Sequence, residues 1–422
     1  MHYHIIGICG SGMSAIAHIL KDQGHVVSGC DVNTDSAAHD DLLSHQIGVL
    51  HGHDPSHINL ADRVICSDIK LPEIDYAISS GKTVKRYDLY REWSNAKPMI
   101  GVSGTSGKTT TTAMIAHILR DNGVDASYLI PAGGPAYNFD VPSKWAGDPL
   151  VIEIDESDRD FNKVQPEVLI ILNVLWDHRA PHKTREEEIN AFRQLTANAK
   201  QVIICSDDDG ARVVTDNVDS NMLTTYGTYG DWSIHGDVVV FDGKEYAIDA
   251  SYPGGGYNAV AAMVACGFYG VSPEKAVKSL STYRGVYRRF RVLGERNGVV
   301  VIDDFAHNPS KIRAAIIAAR MKYKDRRIVV YCRPIAPNRV RKQMQDLADS
   351  LGLADVCFVG GLSSTINLVA ADDSLERQLA EIAGATYVGH DMSKVEFTKG
   401  DVVVMMGPHS MERESYEFYN SL

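Results

Sequence analysis

The chain has 422 residues, 44% hydrophobic and 23% charged, the balance of a soluble globular protein too long for one ordinary core. A formal net charge of -12 repels a polyanion and argues against a nucleic-acid partner, although a nucleotide needs only local backbone amides and a few cations. No run approaches the ~20 apolar residues of a membrane span, and the seven scattered cysteines form no CxxC pair, which points to a reduced, cytoplasmic setting without disulfides or structural zinc.

The chain opens directly in a strand-like run, Tyr3–Ile6, with no basic segment or cleavage site of a signal peptide. Gly7, Gly10 and Gly12 make a turn, Met13–Asp22 is a predicted helix, and Gly24 ends it before a strand that finishes on Asp31. This resembles a dinucleotide fingerprint, but the spacing is GxxGxG and not GxGxxG. The turn is either a cradle for a nucleotide or diphosphate, or only the tight geometry that a strand-to-helix turn needs. Nicotinamide chemistry would need a hydride-transfer site, and nothing downstream offers one. Val64–Ser67 is a further strand, followed by a turn at Pro72.

Near Pro98 the pattern restarts, with strand Met99–Ser103 and a predicted helix over Thr109–Asn122. Between them lies Gly104-Thr105-Ser106-Gly107-Lys108-Thr109-Thr110. Glycines let backbone N–H groups converge on phosphate oxygens, and the helix N-terminus adds positive potential. Lys108 is placed to neutralise β/γ-phosphates and the Thr109 hydroxyl to ligate Mg²⁺. The first glycine of GxxxxGK[ST] is replaced by Val102, so a glycine turn feeding a lysine-bearing helix stays open as the plainer reading.

Val151–Ile154 and Val168–Leu172 read as buried parallel strands. The acids of Glu153-Ile154-Asp155-Glu156-Ser157-Asp158 then sit at a sheet edge, as hard oxygen donors for Mg²⁺ or as a solvated turn. Asp177-His178 follows. Gly254-Gly255-Gly256-Tyr257-Asn258 precedes a small-residue helix, which Asn258 caps unless it serves a nucleotide. Tyr283–Phe290 brings several arginines to a predicted domain junction. A third restart at Val299–Asp303 continues through strands Ile328–Tyr331 and Asp401–Met405. Asp303-Asp304-Phe305-Ala306-His307-Asn308-Pro309 reads locally as an acidic helix cap before proline. The chain therefore divides into three α/β domains, 1–98, 99–293 and 294–422.

The segments GICGSGMSAIA, GTSGKTTTTAM, EIDESD with its later DH, the asparagine after a glycine run, YRGVYRRF and DDFAHNP follow one another in an order that resembles the Mur ligase family. The resemblance runs through nearly the whole chain. It implies a Rossmann-like N-terminal domain for a UDP-sugar, a central P-loop ATPase-like domain and a Rossmann-like C-terminal domain that closes over both.

By the same resemblance Gly10, Ser11, Gly12, Met13, Asp31 and Ser67 bind the UDP-sugar, and Gly104–Thr110 with Asn258, Arg289 and Asp304 bind ATP. Thr109, Glu153 and His178 hold Mg²⁺, while Lys108, His178, Arg289 and His307 serve the reaction. Three departures stand out. Ala261 replaces a second asparagine, Phe192-Arg193 occupies the neighbourhood of the modified lysine of other branches, and Pro408-His409 alters the C-terminal glycine segment. The second of these agrees with the alanine-adding branch, whereas Asn138-Phe139 leans toward the tripeptide-recycling one.

The implied reaction joins UDP-N-acetylmuramate to an amino acid or short peptide, through an acyl phosphate made from ATP, in a monomer or homodimer. A nucleotide-driven switch and a nicotinamide oxidoreductase remain as rival classes.

Overall fold

The computed structural model describes residues 1–34, 36–66, 72–132, 138–175, 184–249, 256–334, 337–362, 373–408 and 411–422. Ser67, His178, Gly254, Gly255, His409 and Ser410 lie outside these residues. The chain forms two compact units, the first from Met1–Ile248 with Tyr257–Tyr287 and the second essentially from Arg288–Leu422.

The first sheet contains β1 (His2–Ile6), β2 (Val26–Asp31), β3 (Gly48–His51), β4 (Arg63–Cys66) and β5 (Thr83–Lys85), in the order β3-β2-β1-β4-β5. All its pairings are parallel. Chain order reverses between β1 and β4, so the turn leaving β1 opens at the point where doubly wound sheets bind ligands.

The second sheet is built on β6 (Met99–Ser103), β7 (Ala126–Leu129), β8 (Ser143–Lys144), β9 (Gly147–Glu153), β10 (Val168–Ile171), β11 (Gln201–Cys205) and β12 (Leu223–Gly227). It ends in β13 (Trp232–His235), β14 (Val238–Phe241) and β15 (Lys244–Ala247), and its order is β15-β14-β13-β12-β11-β10-β6-β9-β7-β8. The last three strands form an antiparallel meander. β6 lies between β10 and β9, parallel to both. Its residues Met99–Ser103 are all buried, as a central parallel strand covered on both faces must be.

One continuous core serves both sheets of this unit, running from Ile5 and Ile16 through Tyr87 and Trp93 to Ile152 and Phe192. The Tyr87 hydroxyl donates to the Asp155 carbonyl at 3.0 Å and accepts the Asp155 N–H at 2.7 Å, fastening the helix Arg86–Ala96 to the acidic segment.

In the second unit, β16 (Arg291–Arg296), β17 (Val299–Asp304), β18 (Ile328–Cys332), β19 (Val356–Gly360), β20 (Thr386–Gly389) and β21 (Val402–Met406) take the order β16-β17-β21-β18-β19-β20. Only β16 is antiparallel to its neighbour. Apolar side chains on both faces make the core, Ile302, Val330 and Val404 on one and Val301, Tyr331 and Met405 on the other. Among the described residues no helix is long and apolar enough to cross a membrane.

Candidate active site

The first unit contains two strand–turn–helix junctions. At the first, Gly7 adopts a φ of +74°, open to glycine at no steric cost, and its N–H reaches the Cys30 carbonyl at 2.8 Å. Gly10 is the N-cap of the helix Ser11–Asp22, with no side chain capping it. The first-turn N–H groups of Ser11, Gly12 and Met13 therefore have no intrahelical acceptor and suit an anion. Asp31 is buried, and each of its carboxylate oxygens accepts a backbone N–H at 2.9 Å, from Cys9 and from Asn33. In this arrangement Asp31 holds the turn in shape.

The second junction follows β6. Gly104 and Gly107 have φ of +130° and +90°, a region strained for any residue with a Cβ. A methyl on Gly104 would lie 2.8 Å from the Asn173 carbonyl, and one on Gly107 would lie 2.5 Å from Asn258 Oδ1. Asn173 laces the loop to the end of β10. Its carbonyl accepts the Thr105 N–H at 3.0 Å, its Oδ1 the Ser106 N–H at 2.8 Å, and its Nδ2 donates to the Ser106 carbonyl at 3.0 Å. The helix begins at Lys108, one residue earlier than the sequence pattern predicts, so Lys108, Thr109 and Thr110 are its first turn.

Acidic side chains from the end of β9 converge on that turn. The Thr109 hydroxyl donates to Glu153 Oε2 at 2.7 Å. Lys108 Nζ donates to the Gly104 carbonyl at 2.7 Å and to Glu156 Oε2 at 2.6 Å, with Asp155 Oδ1 at 3.7 Å. Burial alone would lower the Lys108 ammonium, but Glu156, Asp155 and Glu153 together raise it above its ordinary value. Burial likewise works to raise Asp155, yet Lys108 and Arg86 hold its carboxyl well below the usual range. Glu156 goes the other way, pushed up by burial and by Asp155 against the pull of Lys108. These are hard oxygen donors beside a fixed cation, the set that suits Mg²⁺ on a phosphate.

Sequence reasoning missed Asn173 and Arg86. A polar residue straight after the apolar run of β10 was the available signal for Asn173. Arg86 had none: its Nη2 pairs with Asp158 at 3.2 Å, and a methyl on Gly12 would sit 3.4 Å from its Nη1, so it bridges the two junctions. Asn258 is buried and is the second residue of the helix Tyr257–Gly267, so it does not cap that helix.

In the second unit, Arg288 is the dominant group and was not singled out in the sequence. It is 1% exposed, with Nε 2.9 Å from Asp303 Oδ2, and it donates to the Gly407 and Pro408 carbonyls. Arg288 and Phe290 both have φ of +51°, a strained conformation that this buried pairing holds in place.

Asp304 accepts the Phe290 N–H at 2.6 Å, and burial, partly offset by Arg289, raises it to about 6. The Arg289 guanidinium lies 5.5 Å over the Phe305 ring. Burial, with Lys311 and Arg289 adding, lowers His307 well below its ordinary value. Its Nδ1–H donates to the Phe305 carbonyl at 2.7 Å, which leaves Nε2 as the acceptor nitrogen. The cap of the helix Pro309–Lys322 is Asn308, bonded to the Lys311 N–H, and not Asp303 or Asp304 as the local pattern suggested. Those aspartates are left to the arginine turn.

Comparison with known proteins shows which family the chain resembles along its length. Residues 2–94 match the model of the Mur ligase family catalytic domain, 102–267 that of the Mur ligase middle domain, and 288–409 that of the Mur ligase glutamate ligase domain. A UDP-N-acetylmuramate–L-alanine ligase of Chloroflexus aggregans is 36% identical over 398 residues, covering 85% of this chain and 83% of its own. The ligase of the same name from a Roseiflexus species is 36% identical over 400 residues, covering 85% and 84%. In fold, the crystal structure of a UDP-N-acetylmuramate–alanine ligase from Thermotoga maritima matches with a TM-score of 0.82 and 24% identity, over 100% of this chain and 99% of that one.

Proposed function

The chain belongs to the Mur ligase family, and from that premise we propose that it is the ATP-dependent ligase joining L-alanine to UDP-N-acetylmuramate in peptidoglycan precursor synthesis. The sugar and the amine are those in the names of relatives similar over most of its length. The phosphoryl half rests on one observation above others, the Thr109–Glu153 hydrogen bond of 2.7 Å next to the partly buried Lys108.

In this reading the UDP-sugar lies on the first-turn amides of Ser11, Gly12 and Met13, beside Gly10, in a domain of residues 1–98, with Ser67 as a further contact. ATP is gripped by Gly104–Thr110 and Asn258 in the central domain, 99–293. Asp304 and His307 from the C-terminal domain, 294–422, and Arg289 from the junction just before it are the residues that the family resemblance assigns to the nucleotide. Thr109 and Glu153, with His178, would hold Mg²⁺, which supplies charge neutralisation at the transferring phosphoryl group.

The sugar carboxylate attacks the γ-phosphorus, breaking its bond to the ADP oxygen and giving an acyl phosphate. Lys108 remains an ammonium throughout, because its acidic neighbours raise its pKa. It offsets the negative charge that spreads over the transferring oxygens. The alanine amine then attacks the acyl carbon, loses a proton as the C–N bond forms, and phosphate leaves with the former carboxylate oxygen. Closure over the site would keep water from the acyl phosphate. We place the enzyme in the cytoplasm, as a monomer or homodimer.

The test is ADP release from the purified chain. It should require both UDP-N-acetylmuramate and L-alanine, with other amines and peptides giving far lower rates. ADP released without sugar or amine would make the chain a nucleotide switch, and strict dependence on a tripeptide would move it to recycling.

A further inference from the structure

The N-terminal sheet carries a second chemical cluster that amide formation does not use. His4 on β1, Cys30 on β2 and His57 in the turn Pro55–Ile58 each present a ligating atom, and the three atoms lie within 4.8 Å of one another. His53 stands next to this group without belonging to it, with Nδ1 3.2 Å from Cys30 Sγ. His4 is 0% exposed, and its Nε2 has no hydrogen-bond partner among the described residues. The buried Nδ1 of His57 has none either. Two bare ring nitrogens beside a buried thiol are costly unless something binds them.

Ser28 completes the pattern. Its Oγ lies 2.9 Å from His4 Nδ1 and 2.8 Å from His2 Nε2. With His4 Nδ1–H donating to Ser28, the lone pair falls on Nε2, the outer support a metal-bound imidazole normally has.

We propose that His4, Cys30 and His57 form the core of a zinc-type metal site, which His53 completes to three imidazoles and one thiolate by turning from Cys30 to the ion. On binding, Cys30 gives its thiol proton to solvent, and four lone pairs fill a tetrahedral shell with no change of oxidation state. A thiolate with imidazoles selects a softer ion than the oxygen donors at Thr109 and Glu153, so the two sites do not compete. Cys30 precedes Asp31, which holds the Gly7–Gly12 turn through the Cys9 N–H, so the ion would brace that turn. The proposal runs against the expectation of no structural zinc, which rested on the absence of CxxC. The ligands come from separate segments, and the available signal was the spacing His53-x-x-x-His57.

The test strips the full-length protein with a chelator and titrates it with Co²⁺. One equivalent should bind with tetrahedral visible bands and a thiolate-to-cobalt charge-transfer band. Cys30→Ser should lose the charge-transfer band. His57→Ala, at a half-buried position, should weaken binding even if Cys30→Ser fails to fold, and Ser28→Ala should weaken it by about 10–100-fold. Zn²⁺ should displace the cobalt and raise the melting temperature of the wild type but not of His57→Ala. The proposal is overturned if no cobalt binds, leaving a plain Cys30–His53 hydrogen bond. Uptake without a thiolate band also overturns it, since the His18, Asp41 and His45 cluster could then be the binder.

Discussion

The two glycine turns of the first unit share a topology, parallel strand to turn to helix, and differ in what surrounds them. The turn after β1 is tied by the carboxylate of Asp31, with both oxygens on backbone amides, and no acidic side chain occupies the first helical turn. The turn after β6 is tied by a neutral amide, Asn173, which leaves its charges to work outward: Lys108 against Glu156, and Thr109 against Glu153. Backbone amides alone suffice to dock a diphosphate. Moving a phosphoryl group needs a fixed cation and metal-holding oxygens as well. On the proposed function, the contrast teaches that the same local fold serves as a docking surface or a reaction centre according to the charges brought by the next strand.

The largest expected effect tests the reaction centre. Lys108→Ala should lower kcat by about 1000-fold or more. Circular dichroism should stay native, because Glu156, already raised by burial, takes up a proton when its partner goes. Glu153→Gln comes next, with kcat down about 100-fold and a higher Mg²⁺ requirement; an unchanged Mg²⁺ titration would remove Glu153 from the metal. Asp31→Ala should separate the two turns most cleanly. It should raise KM for the UDP-sugar by about 10-fold, leave KM for ATP unaltered, and lower stability by about 1–3 kcal/mol through two unpartnered amides. A matching loss in ATP affinity would erase the proposed distinction.

The smallest effect lies in the second unit. Asp304 has a folded pKa raised by burial to about 6, above its unfolded value of roughly 4. Its contribution to stability is complete below the unfolded value and is lost as pH rises through the folded one. Asp304→Asn removes that loss. The variant should therefore gain on the wild type between about pH 4 and pH 6, by up to about 3 kcal/mol, and by a constant amount above. Urea melts across that window check it.

Much of this was legible from residues alone, for identifiable reasons. Gly104 and Gly107 announce themselves because only glycine tolerates their φ, and β6, β10 and β21 because parallel strands buried on both faces read as unbroken apolar runs. The meander β13–β15 is absent from the sequence reading, since its short strands match no long pattern. Arg288 was overlooked beside Arg289 because one residue decides which arginine turns inward. That choice depends on Asp303 and the Gly407 carbonyl arriving from distant strands. Asn308 was overlooked as the cap because two aspartates stood earlier in the same motif.

The central claim is that a phosphoryl group passes to the sugar carboxylate. It is tested most directly by labelling both carboxylate oxygens of UDP-N-acetylmuramate with ¹⁸O and following inorganic phosphate by ³¹P NMR during turnover with L-alanine. The account predicts one ¹⁸O in each phosphate released. Unlabelled phosphate, formed while the amide accumulates, would contradict it.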